Sequence, residues 1–252
     1  MQNEIAILLA AGLGTRMLPM TKQTPKPLVK VHGVPLIETL IMGLQKRKIH
    51  KIYVVVGYLK EQFQYLTEKY DNLELIENAE YLEKNNISSL HAAGNLLGSA
   101  DCFICEADLF VADTELFQKT SEMSCYFGKK ILGYTDDWVF GTENGRITKV
   151  GKGGRDTWQM VGISYWKKKD AGIIRAGIEE AYLQKGHEGL FWDEIADRKI
   201  REKQLEAVVM EVPEGSIIEI DTVEEWKALT ADGKGEVLCG QSNLQNGFGQ
   251  WE

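Results

Sequence analysis

The sequence predicts an α/β protein, with a mostly parallel sheet flanked by helices in its first half and antiparallel additions in its second. Three observations carry this. Apolar runs at residues 4–11, 51–57 and 101–107 suit strands buried on both faces. Helical patterns separate them, as in a parallel sheet. Beyond residue 124, strand-like runs follow one another with no long helix between them. In such a sheet, ligands bind beyond the carboxyl ends of the strands.

The first run ends at Gly12 and opens into a long loop rich in Gly, Pro and Thr. A helix begins near Pro35: Leu36, Leu40, Ile41 and Leu44 share one face, and Lys46, Arg47 and Lys48 suit a helix C-terminus. The strand at 51–57 precedes a helix at 60–70, a short strand at 73–76 and a helical segment at 87–97. The strand at 101–107 terminates on Glu106 and Asp108. Further strands are expected at 124–134, 146–150 and 158–166, and Asn144-Gly145 is a strong hairpin signal. A helix at 170–184 follows, then a shorter one from Trp192 or Asp193. Extended segments at 206–211 and 216–220 precede a closing helix at 222–229. The stretch 231–252 is rich in Gly, Gln and Asn and reads as a flexible tail, or as a linker to a module outside this chain.

With 252 residues, 44% of them hydrophobic and 26% charged, the composition is that of a globular protein with a substantial core. No apolar run approaches the roughly 18 residues of a membrane helix and no basic head opens the chain, so no membrane insertion and a cytoplasmic location are expected. Cys102, Cys105, Cys125 and Cys239 are too few for a disulfide framework. The C-x-x-C at 102–105 falls on a strand, with no second Cys/His pair, and reads as core thiols.

A net charge of −8 argues against a nucleic-acid partner. The charge is uneven, with nine Lys/Arg against two Asp/Glu in residues 1–60. A basic segment facing an acidic remainder suits a compact polyanion together with a metal ion or a cationic ligand.

Leu9-Ala10-Ala11-Gly12-Leu13-Gly14-Thr15-Arg16 follows the first strand, then Pro19, Thr21 and Thr24-Pro25-Lys26-Pro27-Leu28. A glycine-containing turn after a strand points backbone N–H groups into one concavity, a basis for cradling phosphates. No G-K-[ST] closes the loop, and the third glycine of a dinucleotide fingerprint is missing. Two acidic pairs follow strands: Glu106 and Asp108, then Glu219 and Asp221. Carboxylates converging at strand ends can hold Mg²⁺, although Asp221 could instead cap the closing helix. The aromatics Trp138, Tyr165, Trp192 and the adjacent Asp193 offer rings beside a carboxylate, which is what a quaternary ammonium needs. The four histidines are scattered and support no hydrolase triad.

The pattern L-A-A-G-x-G-T-R, P-x-T, P-K-x-L resembles the signature of nucleotidyltransferases that activate sugar phosphates and small alcohol phosphates. That resemblance implies a Rossmann-like fold of the nucleotide-diphospho-sugar transferase type over residues 1–230. It implies that Leu9, Ala10, Ala11, Gly12, Gly14, Thr15, Asn86 and Ser89 bind the nucleotide, that Arg16 and Lys26 grip its triphosphate, and that Asp108 binds metal. Gly57–Phe63, the 85–90 segment, Trp138, the F-W-D at 191–193 and Ser216–Asp221 are similar to the bacterial CTP:phosphocholine cytidylyltransferases. In that group the residues matching Trp138, Trp192, Asp193 and Glu219 surround choline, with Tyr165 a looser match, and those matching Asp108, Glu219 and Asp221 sit near the metal.

The function implied is Mg²⁺-dependent cytidylyl transfer from CTP to phosphocholine, giving CDP-choline and pyrophosphate. A sugar 1-phosphate, or another amino-alcohol phosphate or phosphonate, is the alternative acceptor. A non-catalytic nucleotide sensor is the alternative of another class, against which the intact charged set argues. The sequence leaves monomer or homodimer open.

Overall fold

The computed structural model describes residues 3–231. The expected tail therefore lies outside the described residues, except for Ala231. In chain order the elements are β1 (Ile5–Ala10), β2 (Lys30–Val31), β3 (Val34–Pro35), α1 (Leu36–Lys46), β4 (Lys51–Val56), α2 (Tyr65–Lys69), β5 (Leu73–Glu77) and α3 (Ile87–Ala93). There follow β6 (Cys102–Glu106), β7 (Leu109–Val111), β8 (Cys125–Lys130), β9 (Tyr134–Glu143), β10 (Arg146–Arg155), β11 (Trp158–Trp166) and α4 (Lys168–Tyr182). The chain continues through α5 (Trp192–Arg201), β12 (Val208–Glu211), β13 (Ile217–Glu219) and α6 (Val223–Ala231).

A nine-stranded sheet runs in the order β5-β4-β1-β6-β11-β8-β12-β10-β9. Strands β5, β4, β1 and β6 are parallel, whereas β11 pairs antiparallel with β6, β8 and β9. This is the mostly parallel sheet flanked by helices, with antiparallel additions in the second half, that the sequence predicts. Strand β1 shows why both faces are covered: Ala6, Leu8 and Ala10 pack with Leu40, Ile41 and Leu44 of α1, while Ile5 and Ile7 pack with Leu90, Ile174 and Ile195 beneath α3, α4 and α5. Successive strand side chains point to opposite faces, so a run with no polar alternation demands a helical layer on each side. Cys102 and Cys105 are fully buried free thiols on β6.

β10 runs beyond the expected 146–150 to Arg155 and the helix expected at 87–97 ends at Ala93, and two further elements differ from expectation. The helix at 60–70 is a single 3₁₀ turn (Lys60–Phe63) followed by the short α2. The Tyr58 hydroxyl donates to Thr21 O and Gln62 Nε2 to Gln23 O, which pins this turn to the loop after β1 and delays the helix. The strand at 124–134 ends at Lys130, and ten residues from Tyr134 form β9 as a new strand. Gly133 interrupts it, with φ 84° and its N–H bound by Asp156. Asn144 and Gly145 at φ 50° and 77° make the turn between β9 and β10, matching the left-handed geometry that tight hairpins need.

A two-stranded pairing outside the main sheet positions the acidic residues. β13 runs antiparallel to β7 with Glu219 opposite Leu109, so the carboxylates following β6 and those ending β13 meet at one point. Among the described residues, no helix is long and apolar enough to cross a membrane.

Candidate active site

At the carboxyl end of β1 the chain enters a cleft of about 340 Å³. Its walls include Leu9 to Gly12, Gly14 to Arg16, Lys26, Asn86 and Ser89, so the whole nucleotide set read from the sequence is gathered in one place. Gly14 is left-handed at φ 61°, and a Cβ there would lie 2.9 Å from that of Lys26. Only glycine combines that backbone with such close approach. The Thr21 hydroxyl donates to Gly14 O at 2.9 Å and fixes the loop.

Asp108, Glu219 and Asp221 converge at the rim, each offering an oxygen within 4.8 Å of the others. Asp221 does not cap α6: Thr222 Oγ1 accepts from Glu225 N, and Glu225 accepts from the N–H groups of Asp221 and Thr222. The Asp221 carboxylate is thereby left to its charged partners. Lys26 Nζ lies 2.7 Å from both Asp108 and Asp221, and Arg16 lies 2.7 Å from Asp221. Burial opposes the charge on Lys26, but these carboxylates overcome it and hold its pKa above the ordinary value. Desolvation, then repulsion from Asp108 and Asp221, pushes the Glu219 carboxyl up to about 7. Three hard oxygen donors, one of them strained toward protonation, form a set that a divalent cation fits.

Glu106 lines the cleft and also a recess of about 10 Å³ bounded by Tyr126, Ser164, Trp192 and Asp193. Burial raises the Glu106 pKa well above the ordinary range, helped by Asp108, Glu219 and Asp193. Burial likewise pushes Asp193 to about 7, although the Tyr126 hydroxyl donates to it at 3.0 Å. The recess therefore holds more acid than cation.

The aromatic residues are arranged differently from the sequence expectation. Trp192 is 4% exposed, stacked on Tyr126 with centroids 5.9 Å apart and edge-on to Trp166 at 6.2 Å. Its Nε1 is buried without a partner among the described residues. Trp138 lines neither cleft nor recess; it packs against Phe191 at 5.3 Å, with Lys152 Nζ 5.5 Å from its ring and 4.9 Å from that of Phe191. Tyr165 is displaced from the site altogether. Its hydroxyl donates to Glu4 at 2.8 Å and Asp101 at 3.2 Å, groups that precede β1 and β6 at the opposite end of the sheet. Antiparallel β11 carries Tyr165 toward that end, which a strand assignment without pairing could not reveal.

Sequence reasoning missed Asn78, Tyr81, Lys84, Asn85 and Ser88 as cleft residues, and Tyr126 as a wall of the recess. One signal was present for Asn78: it follows β5 directly, at the sheet end where ligands bind.

The model of the MobA-like NTP transferase domain matches residues 6–141. A 2-aminoethylphosphonate cytidylyltransferase of Lancefieldella rimae is 50% identical over 224 residues, covering 88% of this chain and 90% of that protein. A choline-phosphate cytidylyltransferase of Streptococcus pneumoniae is 37% identical over 229 residues, covering 89% and 96%. The solved CTP:phosphocholine cytidylyltransferase from Streptococcus pneumoniae superposes with a TM-score of 0.83 at 34% identity, covering 91% of this chain and 98% of that one. An inositol-1-phosphate CTP transferase from T. maritima, 19% identical with a TM-score of 0.71 over 94% of this chain and 98% of that one, shares the fold. With its glycine-bearing loop after β1 and its carboxylate triad, and with relatives of this identity along most of its length, the chain belongs to the MobA-like NTP transferase family, among its cytidylyltransferases.

Proposed function

We propose that the protein transfers a cytidylyl group from CTP to a small phosphonate bearing a primary ammonium, with 2-aminoethylphosphonate as the acceptor and pyrophosphate as the second product. The observation that carries the choice of acceptor is the recess behind Glu106. At about 10 Å³ it has room for a group the size of one water, and carboxylates of Glu106 and Asp193 face it. A primary ammonium brings three donors and one positive charge to acids whose ionised form burial disfavours and which no cation among the lining residues offsets. A trimethylammonium is larger and brings no donors. The 50% identical relative supports the same acceptor.

The chemistry follows from these positions. An oxygen of the acceptor dianion attacks the α-phosphorus in line, the new P–O bond forms, and the bond to the departing pyrophosphate breaks. A phosphonate dianion has no proton to lose, so no general base is required. Backbone N–H groups of the Gly12–Thr15 loop hold the phosphates, and Lys26 and Arg16 neutralise charge on the α-phosphate and on pyrophosphate. Asp108, Glu219 and Asp221 would hold Mg²⁺, which supplies charge neutralisation between the two substrates when bound. Phe191 and Trp192 carry the N-terminus of α5, so Asp193 enters the recess from a rigid element.

A second reading, transfer to phosphocholine, is favoured by the Trp138–Phe191 pair, which has cation–π geometry, and by the 37% identical relative. That seat holds the protein's own Lys152 ammonium. Pyrophosphate release measured for four nucleoside triphosphates against 2-aminoethylphosphonate, phosphoethanolamine, phosphocholine and glucose 1-phosphate tests both. CTP with 2-aminoethylphosphonate should give the highest kcat/KM; a preference for phosphocholine installs the second reading, and a sugar phosphate removes both.

A further inference from the structure

We propose that Asn78 is a positioning residue that sets base choice by fixing the Ser89 hydroxyl as a hydrogen-bond donor toward the nucleotide. The inference rests on the cleft being the CTP site. Asn78 is 2% exposed, and its backbone N–H is tied to Val56 O at 2.8 Å. Its Nδ2 donates to Ser88 Oγ at 2.9 Å and to Ser89 Oγ at 3.2 Å. Its Oδ1 accepts from the Glu80 N–H at 2.9 Å. That last bond decides which way the amide is turned, because a flipped amide would set its NH₂ against a backbone donor.

The polarity of the serines follows. Ser88 spends its proton on Asn85 O at 2.8 Å. Ser89 accepts from Asn78, and no described residue accepts its proton, which is free on the cleft wall. The neighbouring Asn86 has its Oδ1 occupied by the Trp192 N–H at 3.0 Å, leaving its Nδ2 as the free end. Ser89 and Asn86 therefore present donors from one turn of chain. Cytosine carries two adjacent acceptors, O2 and N3; uracil carries a donor at N3. A donor pair accepts the first edge and opposes the second, and buried polar mismatches of this kind are costly.

Replacing the amide with a carboxylate tests the idea by reversing its polarity. In Asn78→Asp the Oδ1–Glu80 bond remains, but the other oxygen must accept from Ser89, whose lone pair then turns toward the base. The ratio of kcat/KM for CTP over UTP should fall at least 10-fold, with the dissociation constants from calorimetry moving in parallel and KM for the acceptor unchanged. Asn78→Ala, which frees the Ser89 hydroxyl without reversing it and also removes the bonds to Ser88 and the Glu80 N–H, should lower the ratio less. Should the buried carboxylate prevent folding, Ser89→Ala must still weaken CTP binding and lower the ratio. An unchanged ratio in the folded variants, or equal weakening of CTP and UTP, overturns the proposal while leaving cytidylyl transfer in place. A wild-type protein that does not prefer CTP to UTP overturns both.

Discussion

The ammonium of Lys26 stands 2.7 Å from a carboxylate oxygen of Asp108, so the cation expected at the triphosphate and an acid expected at the metal are ion-paired across the cleft. Lys26 also reaches Asp221 at 2.7 Å and is 6% exposed. In this state the lysine serves as counter-ion to a carboxylate cluster that otherwise repels itself.

Removing Lys26 should therefore act in two ways. Lys26→Ala should lower kcat/KM about 10²-fold or more, because the cleft loses the buried cation proposed to meet charge growing on the α-phosphate. It should also leave the carboxylates uncompensated, so that Mg²⁺ raises the Tm of the variant by more than that of the wild type. Thermal melts with Mg²⁺ and with EDTA measure this, and equal Mg²⁺ responses would remove Lys26 from the cluster's charge balance. Activity should vanish in excess EDTA.

Asp193 offers a pH test. Burial raises its carboxyl to about 7, so the folded state holds this proton more tightly than the unfolded chain does. Its contribution to stability is full below the unfolded value near pH 4, is lost as pH rises toward 7, and stays lost above. Asp193→Asn carries no such penalty and keeps an oxygen for Tyr126. Its Tm should exceed that of the wild type at pH 8, by the equivalent of a few kcal/mol at most (roughly 1.4 kcal/mol per pKa unit), and the gap should close toward pH 4. The same variant should lose at least about 10-fold in kcat/KM for 2-aminoethylphosphonate, since the ammonium loses a counter-charge. A variant no more stable at pH 8 would mean that Asp193 is ionised without penalty.

Lys152 bears on the acceptor. Its ammonium fills the seat against Trp138 and Phe191, a contact worth about 0.5 to 1 kcal/mol at an exposed site. Lys152→Ala empties that seat, and kcat/KM for phosphocholine relative to 2-aminoethylphosphonate should rise several-fold while KM for CTP stays unchanged. An unaltered acceptor ratio would place the aromatic pair outside acceptor selection.

Tyr165→Phe should separate structure from specificity. Losing the hydroxyl takes one donor from Glu4, which keeps Arg47, and one from Asp101, which keeps Lys167 and the Lys168 N–H, so the cost in stability should be that of an ordinary hydrogen bond, about 0.5 to 1.5 kcal/mol. Acceptor preference should be untouched. A change in the ratio of phosphocholine to 2-aminoethylphosphonate turnover would return Tyr165 to the acceptor site.

Local chemistry made much of this protein legible from its sequence. The apolar run ending at Gly12, the spacing to Arg16 and Lys26, and acids placed just after strands depend on near neighbours in the chain, and they locate the cleft. The β-strand period let both faces of β1 be read as buried, and Asn144-Gly145 marked its hairpin because few other residues tolerate those dihedrals. Tertiary structure decided the rest. Whether Lys26 faces phosphate or carboxylate depends on β13 pairing with β7, a contact across more than a hundred residues. Tyr165 and Trp192 are both aromatic residues at element ends, and only strand direction and helix packing send one to the far end of the sheet and bury the other against Tyr126. The proton of Ser89 is fixed by an amide eleven positions earlier, through a hydrogen bond that no periodicity encodes.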